Sequence, residues 1–143
     1  MRKKMDKMTE VFLDAAYAIA LSSPSDQYHE RAKVLAEQLE ADGTQLITTL
    51  AVLLEIGNAL AKQRYRAAAI ELLDSLQEDP DIEIIPISED LFNRAFLLYC
   101  ERQDKEWGLT DCISFVVMKD RGLLKALTTD EHFKQAGFQA LLL

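Results

Sequence analysis

Four acids in this chain sit where acids are poorly solvated. Asp14 closes the apolar run Val11-Phe12-Leu13, Glu55 lies between Ala51 to Leu54 and Ile56, Asp111 heads the apolar stretch that runs to Met118, and Asp130 comes just after Leu123 to Thr128. An ionised carboxylate against core-forming surface loses hydration, so it is normally paired, bound to a metal or shifted in pKa. Taken singly, each has a plain explanation. Thr110 can serve as N-cap and leave Asp111 a half-exposed first-turn acid that gains from the helix N-terminus. Glu55 fits a narrow solvent stripe with Lys62 as well as it fits a cleft, while Asp14 and Asp130 can cap the turns that follow them.

Together they would do more. Two carboxylates about 5 Å apart repel by roughly 3 kcal/mol at an effective dielectric near 20, so a group of four calls for a cation among them. All-oxygen ligands select hard divalent ions, Mg2+ or Mn2+. Such an ion activates water and stabilises the charge that develops on a phosphoryl centre, which makes phosphodiester hydrolysis the natural reaction.

The elements decide whether the acids meet. Glu10 to Leu13 reads as a short buried strand, Gln45 to Thr48 as a second, Ile82 to Ile87 as a third, Leu123 to Thr128 as a fourth and Phe138 to Leu143 as a fifth, at an edge. Ala15 to Leu21 cross over as a short helix or turn. Tyr28, Ala32, Leu35, Ala36 and Leu39 repeat at helical spacing up to Asp42-Gly43. Thr48 or Thr49 caps a helix whose apolar side carries Leu50, Leu53, Leu54, Gly57, Leu60 and Ala61, and another helix lies near Tyr65 to Gln77. Ser88 caps a helix that packs through Leu91, Ala95, Phe96, Leu98 and Tyr99, and the helix headed by Asp111 stops at Gly122.

Strands that alternate with helices predict an α/β fold, a three-layer α/β/α arrangement around a central, mainly parallel sheet of about five strands. The functional cleft of such open sheets lies beyond the carboxyl ends of the strands. Asp14 and Asp130 fall at that edge, and Asp111 and Glu55 fall on helices beside it.

A chain of 143 residues, 49% hydrophobic and 28% charged, predicts one globular domain. No apolar run approaches the roughly 20 residues of a membrane helix, so a soluble chain without a membrane partner is expected. Residues 1–9 read as a loose basic extension with no secretory h-region, and residues 10–143 as the domain. Cys100 and Cys112 suit buried thiols in a reducing cytoplasm. The formal net charge of −8 argues against broad electrostatic capture of nucleic acid but leaves room for a nuclease that meets phosphate through bound cations, and it suits a basic protein partner. Trp107 is expected as a core anchor, His29 and His132 as surface residues, Asp104 and Glu106 as loop acids, and Lys62, Arg64 and Arg66 as a solvated helix junction.

The order Val-Phe-Leu-Asp14, a helix-borne Glu55, Leu-Thr-Asp111-Cys and Leu-Thr-Thr-Asp130-Glu-His-Phe resembles the PIN-domain nucleases, especially the VapC-like toxins, from Val11 to Phe138. The resemblance implies a metal-dependent endoribonuclease in which Asp14 and Asp111 are the principal ligands of Mg2+ or Mn2+. It implies that Glu55 and Asp130 complete the acidic pocket and that Thr110 and Thr128 are supporting hydroxyls. It also implies an RNA substrate, a homodimer formed through the helices after the second strand and, in toxin versions, a small antitoxin partner. A stand-alone nuclease and a non-catalytic RNA- or protein-binding module of the same fold are the competing readings. A phosphoacceptor domain fits less well, because Asp14 has no adjacent acid and Glu55 lies on a helix.

Overall fold

The computed structural model describes residues 9–143; the basic extension expected over residues 1–9 lies, up to residue 8, outside the described residues. Among the described residues five strands form one sheet: β1 (Glu10–Leu13), β2 (Gln45–Thr49), β3 (Ile82–Ile85), β4 (Lys125–Leu127) and β5 (Gln139–Ala140). Their order is β3-β2-β1-β4-β5, and every neighbouring pair is parallel. The third, fourth and fifth strands are shorter than the sequence predicts. Pro86 has no amide N–H to add to the ladder, which suits an end to β3 at Ile85.

Among the described residues seven helices flank the sheet, giving three layers: α1 (Ala15–Ser22), α2 (His29–Ala41), α3 (Leu50–Ala59), α4 (Gln63–Glu78), α5 (Glu89–Glu101), α6 (Leu109–Arg121) and α7 (Glu131–Gln135). The expected hydroxyl caps are present. Thr49 Oγ1 accepts the Val52 N–H at 3.2 Å, and Ser88 Oγ accepts the Leu91 N–H at 3.0 Å. Gly122 closes α6 at φ 68°, a left-handed conformation that glycine adopts without a Cβ clash. The N-cap of α6 differs from expectation: it is Gly108, and Thr110 is already inside the first turn. Asp111 thereby becomes the third helical residue, whose carboxylate reaches back to the Gly108 N–H.

β1 occupies the centre of the sheet, and Val11, Phe12 and Leu13 are all buried, as a strand covered on both faces requires. α6 is the helical counterpart. Cys112 to Met118 are buried without interruption, so this helix is enclosed on every side along its middle. α7, read from the sequence only as a turn, is pinned to this core by Phe133, which is fully buried. Its ring meets Phe115 edge-on at 5.0 Å and lies 6.2 Å from Phe12. Trp107 is the expected core anchor: its ring meets Phe115 edge-on, and its Nε1 donates to Gln135 Oε1 at 3.0 Å.

Three expectations about burial change. α3 buries Ala51, Val52, Leu53 and Ile56 and leaves Leu50 and Leu54 exposed, a rotation of the apolar face that a helix apolar on most positions does not reveal by period alone. On α5, Phe96 and Tyr99 stand in solvent, stacked with each other, while Leu91 and Ala95 face the core. Cys100 is exposed and Cys112 buried, and burial followed by the nearby Asp111 pushes the Cys112 thiol up to about 11. Neither thiol has a partner sulfur.

Because one buried ring holds α7 against β1 and α6, Phe133→Ala should remove about 3 to 5 kcal/mol of stability in urea unfolding, as large-to-small aromatic changes in cores do. A loss below about 1 kcal/mol would show that α7 is held by something else.

Candidate active site

The carboxyl ends of β1 and β4 lie side by side, and their next residues build the site from the backbone outwards. The Asp14 N–H donates to the Leu127 carbonyl at 3.2 Å, extending the ladder one residue past β1. Thr128, fully buried after β4, donates its hydroxyl to Asp14 Oδ2 at 2.7 Å and accepts the Asp130 N–H at 3.1 Å. One hydroxyl thus fixes two of the four acids. On the other side, Thr48 Oγ1 donates to the Leu13 carbonyl at 2.8 Å and braces β2 against the residue before Asp14.

Asp111 arrives from α6. Its Oδ2 accepts the Gly108 N–H at 3.0 Å and lies 3.0 Å from His132 Nδ1. Asp130 Oδ1 accepts the His132 N–H at 2.9 Å and lies 3.3 Å from the same ring nitrogen. Glu55 comes from α3, with its side chain towards solvent. The structure brings all four acids into one electrostatic neighbourhood.

Their protonation behaviour records that crowding. Burial raises the Asp14 carboxyl to about 6, against the lowering effects of the Thr128 hydroxyl and the Ala15 N–H, with Asp111 and Asp130 pushing it further up. Lost solvation and then repulsion from Asp14, Asp111 and Asp130 push Glu55 up to about 7; its exposure to solvent screens part of that rise. Asp111 is raised by burial, opposed by the Gly108 N–H and His132, with Asp130 adding to the rise. Among the described residues, no lysine or arginine pairs with any of the four.

The donor set fits a hard divalent cation. Oxygen donors dominate, they converge from four elements, and a cation would relieve repulsion that the protein itself leaves uncompensated. Asp111, Asp130 and His132 also offer ligand atoms that all lie within 4.8 Å of one another. That ring nitrogen is the feature the sequence reading missed: His132 is half-buried and part of the cluster, not a surface residue. The spacing Asp130-x-His132 was the available signal, because a turn capped by an aspartate brings the residue two positions on back beside it.

The remaining expected residues separate cleanly. The Thr110 hydroxyl makes no bond to the acids among the described residues; only its carbonyl is engaged, accepting the Ser114 hydroxyl at 3.2 Å. Asp104 is an exposed loop acid clamped by Arg102 at 2.9 and 3.0 Å, and Glu106 is exposed. His29 is half-buried, its Nδ1 2.8 Å from the Ala20 carbonyl. Lys62, Arg64 and Arg66 are exposed at the α3–α4 junction, where Arg66 donates to the Ala61 carbonyl.

Known proteins are similar to this chain in sequence and in fold. The family described as PIN domain matches residues 11–139. The chain is 25% identical over 128 residues to the 23S rRNA-specific endonuclease VapC20 of Mycobacterium tuberculosis, covering 90% of this chain and 95% of that protein. The crystal structure of that VapC20, described as a Sarcin-Ricin loop cleaving toxin, superposes with a TM-score of 0.78 over 90% of this chain and 95% of that one. VapBC2 of Rickettsia felis, at 15% identity, and FitAcB of Neisseria gonorrhoeae, at 18%, share the fold with TM-scores of 0.66 and 0.62. They cover 92% and 91% of this chain, and 96% and 94% of their own. With the family matched across nearly its whole length and its sheet order and acid cluster described above, this chain belongs to the PIN domain family and is a VapC-like nuclease within it.

Proposed function

We propose that this chain is a divalent-metal-dependent endoribonuclease that hydrolyses RNA phosphodiester bonds and serves as the toxin of a type II toxin–antitoxin pair. One observation carries the reading: four acids converge at the carboxyl edge of the sheet with no lysine or arginine partner among the described residues, and the pKa values of Asp14, Glu55 and Asp111 are raised there. In this reading residues 10–143 are one nuclease domain, Asp14, Glu55, Asp111 and Asp130 hold Mg2+ or Mn2+, and the protein works in the cytoplasm. The bound ion would supply activation of water and stabilisation of the charge developing at phosphorus. The chain's own contribution is positional. Thr128 holds Asp14 by Oδ2, the Gly108 N–H holds Asp111 by Oδ2, and the Thr128 hydroxyl also fixes the backbone that presents Asp130. Thr128 is therefore the supporting hydroxyl, and no bond to an acid supports that role for Thr110.

RNA as substrate and an antitoxin as partner are supported by the likeness to VapC20, a toxin named for its 23S rRNA cleavage. A homodimer is supported by apolar residues left in solvent on the helices after β2: Leu50 and Leu54 on α3, and Tyr65 and Ile70 on α4. No helix among the described residues is long and apolar enough to cross a membrane.

The reading predicts that a mixed RNA pool is cut with Mn2+ present, is left intact with chelator, and is cut at least about 100-fold more slowly by Asp111→Asn. Equal cleavage by wild type and Asp111→Asn would move the non-catalytic binding module ahead. A second prediction concerns pH. Asp14 ionises near 3.8 when unfolded and about 6 when folded, so the folded state holds the extra proton between those values and stability falls as pH rises through that window. The metal-free protein should therefore gain stability on going from pH 7 to pH 5, on the order of 1 kcal/mol from Asp14. Asp14→Asn should lower that slope by the Asp14 share in thermal melts with chelator, leaving the part that Glu55 and Asp111 contribute. With Mn2+ present, stabilisation by the ion should shrink over the same interval, because protons then compete for its ligands.

A further inference from the structure

His132 stands within the acid cluster without being one of the acids, and its ring can act there in two incompatible ways. Its Nδ1 can offer a lone pair to a cation shared with Asp111 and Asp130, or it can carry a proton and donate to a carboxylate. The surroundings favour the second. Asp111 Oδ2 lies 3.0 Å from Nδ1 and already accepts the Gly108 N–H at 3.0 Å, so it sits as an acceptor on which two N–H donors converge. Both bonds fall on Oδ2. Among the described residues, Asp111 Oδ1 is left without a protein partner.

The imidazole is also held in place from behind. Its own backbone N–H donates to Asp130 Oδ1 at 2.9 Å, and the next residue, Phe133, is fully buried against Phe115 and Phe12. The ring therefore enters the site on a rigid support. We propose that His132 is a positioning residue that carries its proton on Nδ1, donates to Asp111 Oδ2 and so keeps Asp111 Oδ1 directed at the cation, rather than ligating the cation itself. The proposal rests on the reading that the acids hold a divalent ion. Partners of this kind typically change metal affinity 10- to 100-fold when removed.

Asparagine and glutamine separate the two roles. An asparagine amide can place an N–H where Nδ1–H lies, a glutamine amide places one nearer Nε2, and alanine places none. Mn2+ affinity of the full chain, measured by electron paramagnetic resonance titration, should stay within about threefold for His132→Asn. It should fall roughly 10-fold or more for His132→Gln and His132→Ala. Ring 15N shifts of the metal-free protein at pH 8.5 should place the proton on Nδ1. The pulsed spectrum of bound Mn2+ should show no directly coordinated imidazole nitrogen.

A proton on Nε2, an Asn variant that binds as weakly as the Ala variant, or a coordinated imidazole would overturn the proposal. If His132→Ala fails to melt cooperatively, the comparison of Asn with Gln decides in its place. Wild-type protein that binds no Mn2+ overturns the cation reading itself. Wild-type binding combined with a proton on Nε2 removes only the role of His132.

Discussion

The contact on which the site depends is the 2.7 Å hydrogen bond from the Thr128 hydroxyl to Asp14 Oδ2. It joins the residues that follow two adjacent parallel strands, inside a region where both side chains are nearly removed from water. A carboxylate placed there has lost most of its hydration, and one charge-assisted bond returns only part of it. The fold accepts that cost because the position is set by the ladder: once Leu13 pairs with Leu127, the chain has nowhere else to put residue 14. Strand register therefore does the work of aiming a ligand.

The other acids are held by the same economy of parts. Each of Asp111 and Asp130 is fixed through the helix start it occupies, by the Gly108 N–H in one case and by the Asx turn opening α7 in the other. The interactions that would cap a helix in any protein are here the ones that orient a carboxylate. Rigidity behind them comes from apolar contact. Phe115 touches the rings of Trp107, Phe133 and Phe138, so α6, α7 and the approach to β5 are tied through one aromatic side chain. Glu55 lacks such support and stands more freely on α3, which suits the member of the group with the greatest solvent access.

The layout of strands and helices, the caps at Thr49 and Ser88, the glycine stop at Gly122 and the placing of Asp14 at a strand end were legible in the sequence, because each depends on residues within a few positions. What escaped depends on longer range. The buried face of α3 is chosen by α1, α4 and α6 around it, not by its own period, since nearly every position on it is apolar. Phe96 and Tyr99 look like packing residues in a list and turn out to face solvent. Thr110 and Gly108 compete for one cap, and the choice of Gly108 lets Asp111 supply the return bond that a glycine cannot. The spacing Asp130-x-His132 was local, but the contact of His132 with Asp111, 21 residues earlier in sequence, depends on the start of α7 lying beside the start of α6.

Why the protein does not neutralise its own acids follows from where its arginines are engaged. Arg121 binds Glu83 at 2.9 and 3.1 Å and reaches Glu10, tying the far end of α6 to the starts of β1 and β3, opposite the site. Arg94 makes a bidentate pair with Asp120, and Arg102 pairs with Asp104 and lies over the Trp107 ring. These pairs are exposed and individually worth little, and those of Arg94 and Arg121 lie by the end of α6 away from the acid cluster. A fixed arginine there would quench the repulsion permanently and compete with a divalent ion for the same oxygens. With a net charge of −8, the chain gains nothing from attracting a polyanion by itself. An exchangeable cation resolves both problems at once: it relieves the carboxylates and gives a phosphate something positive to approach.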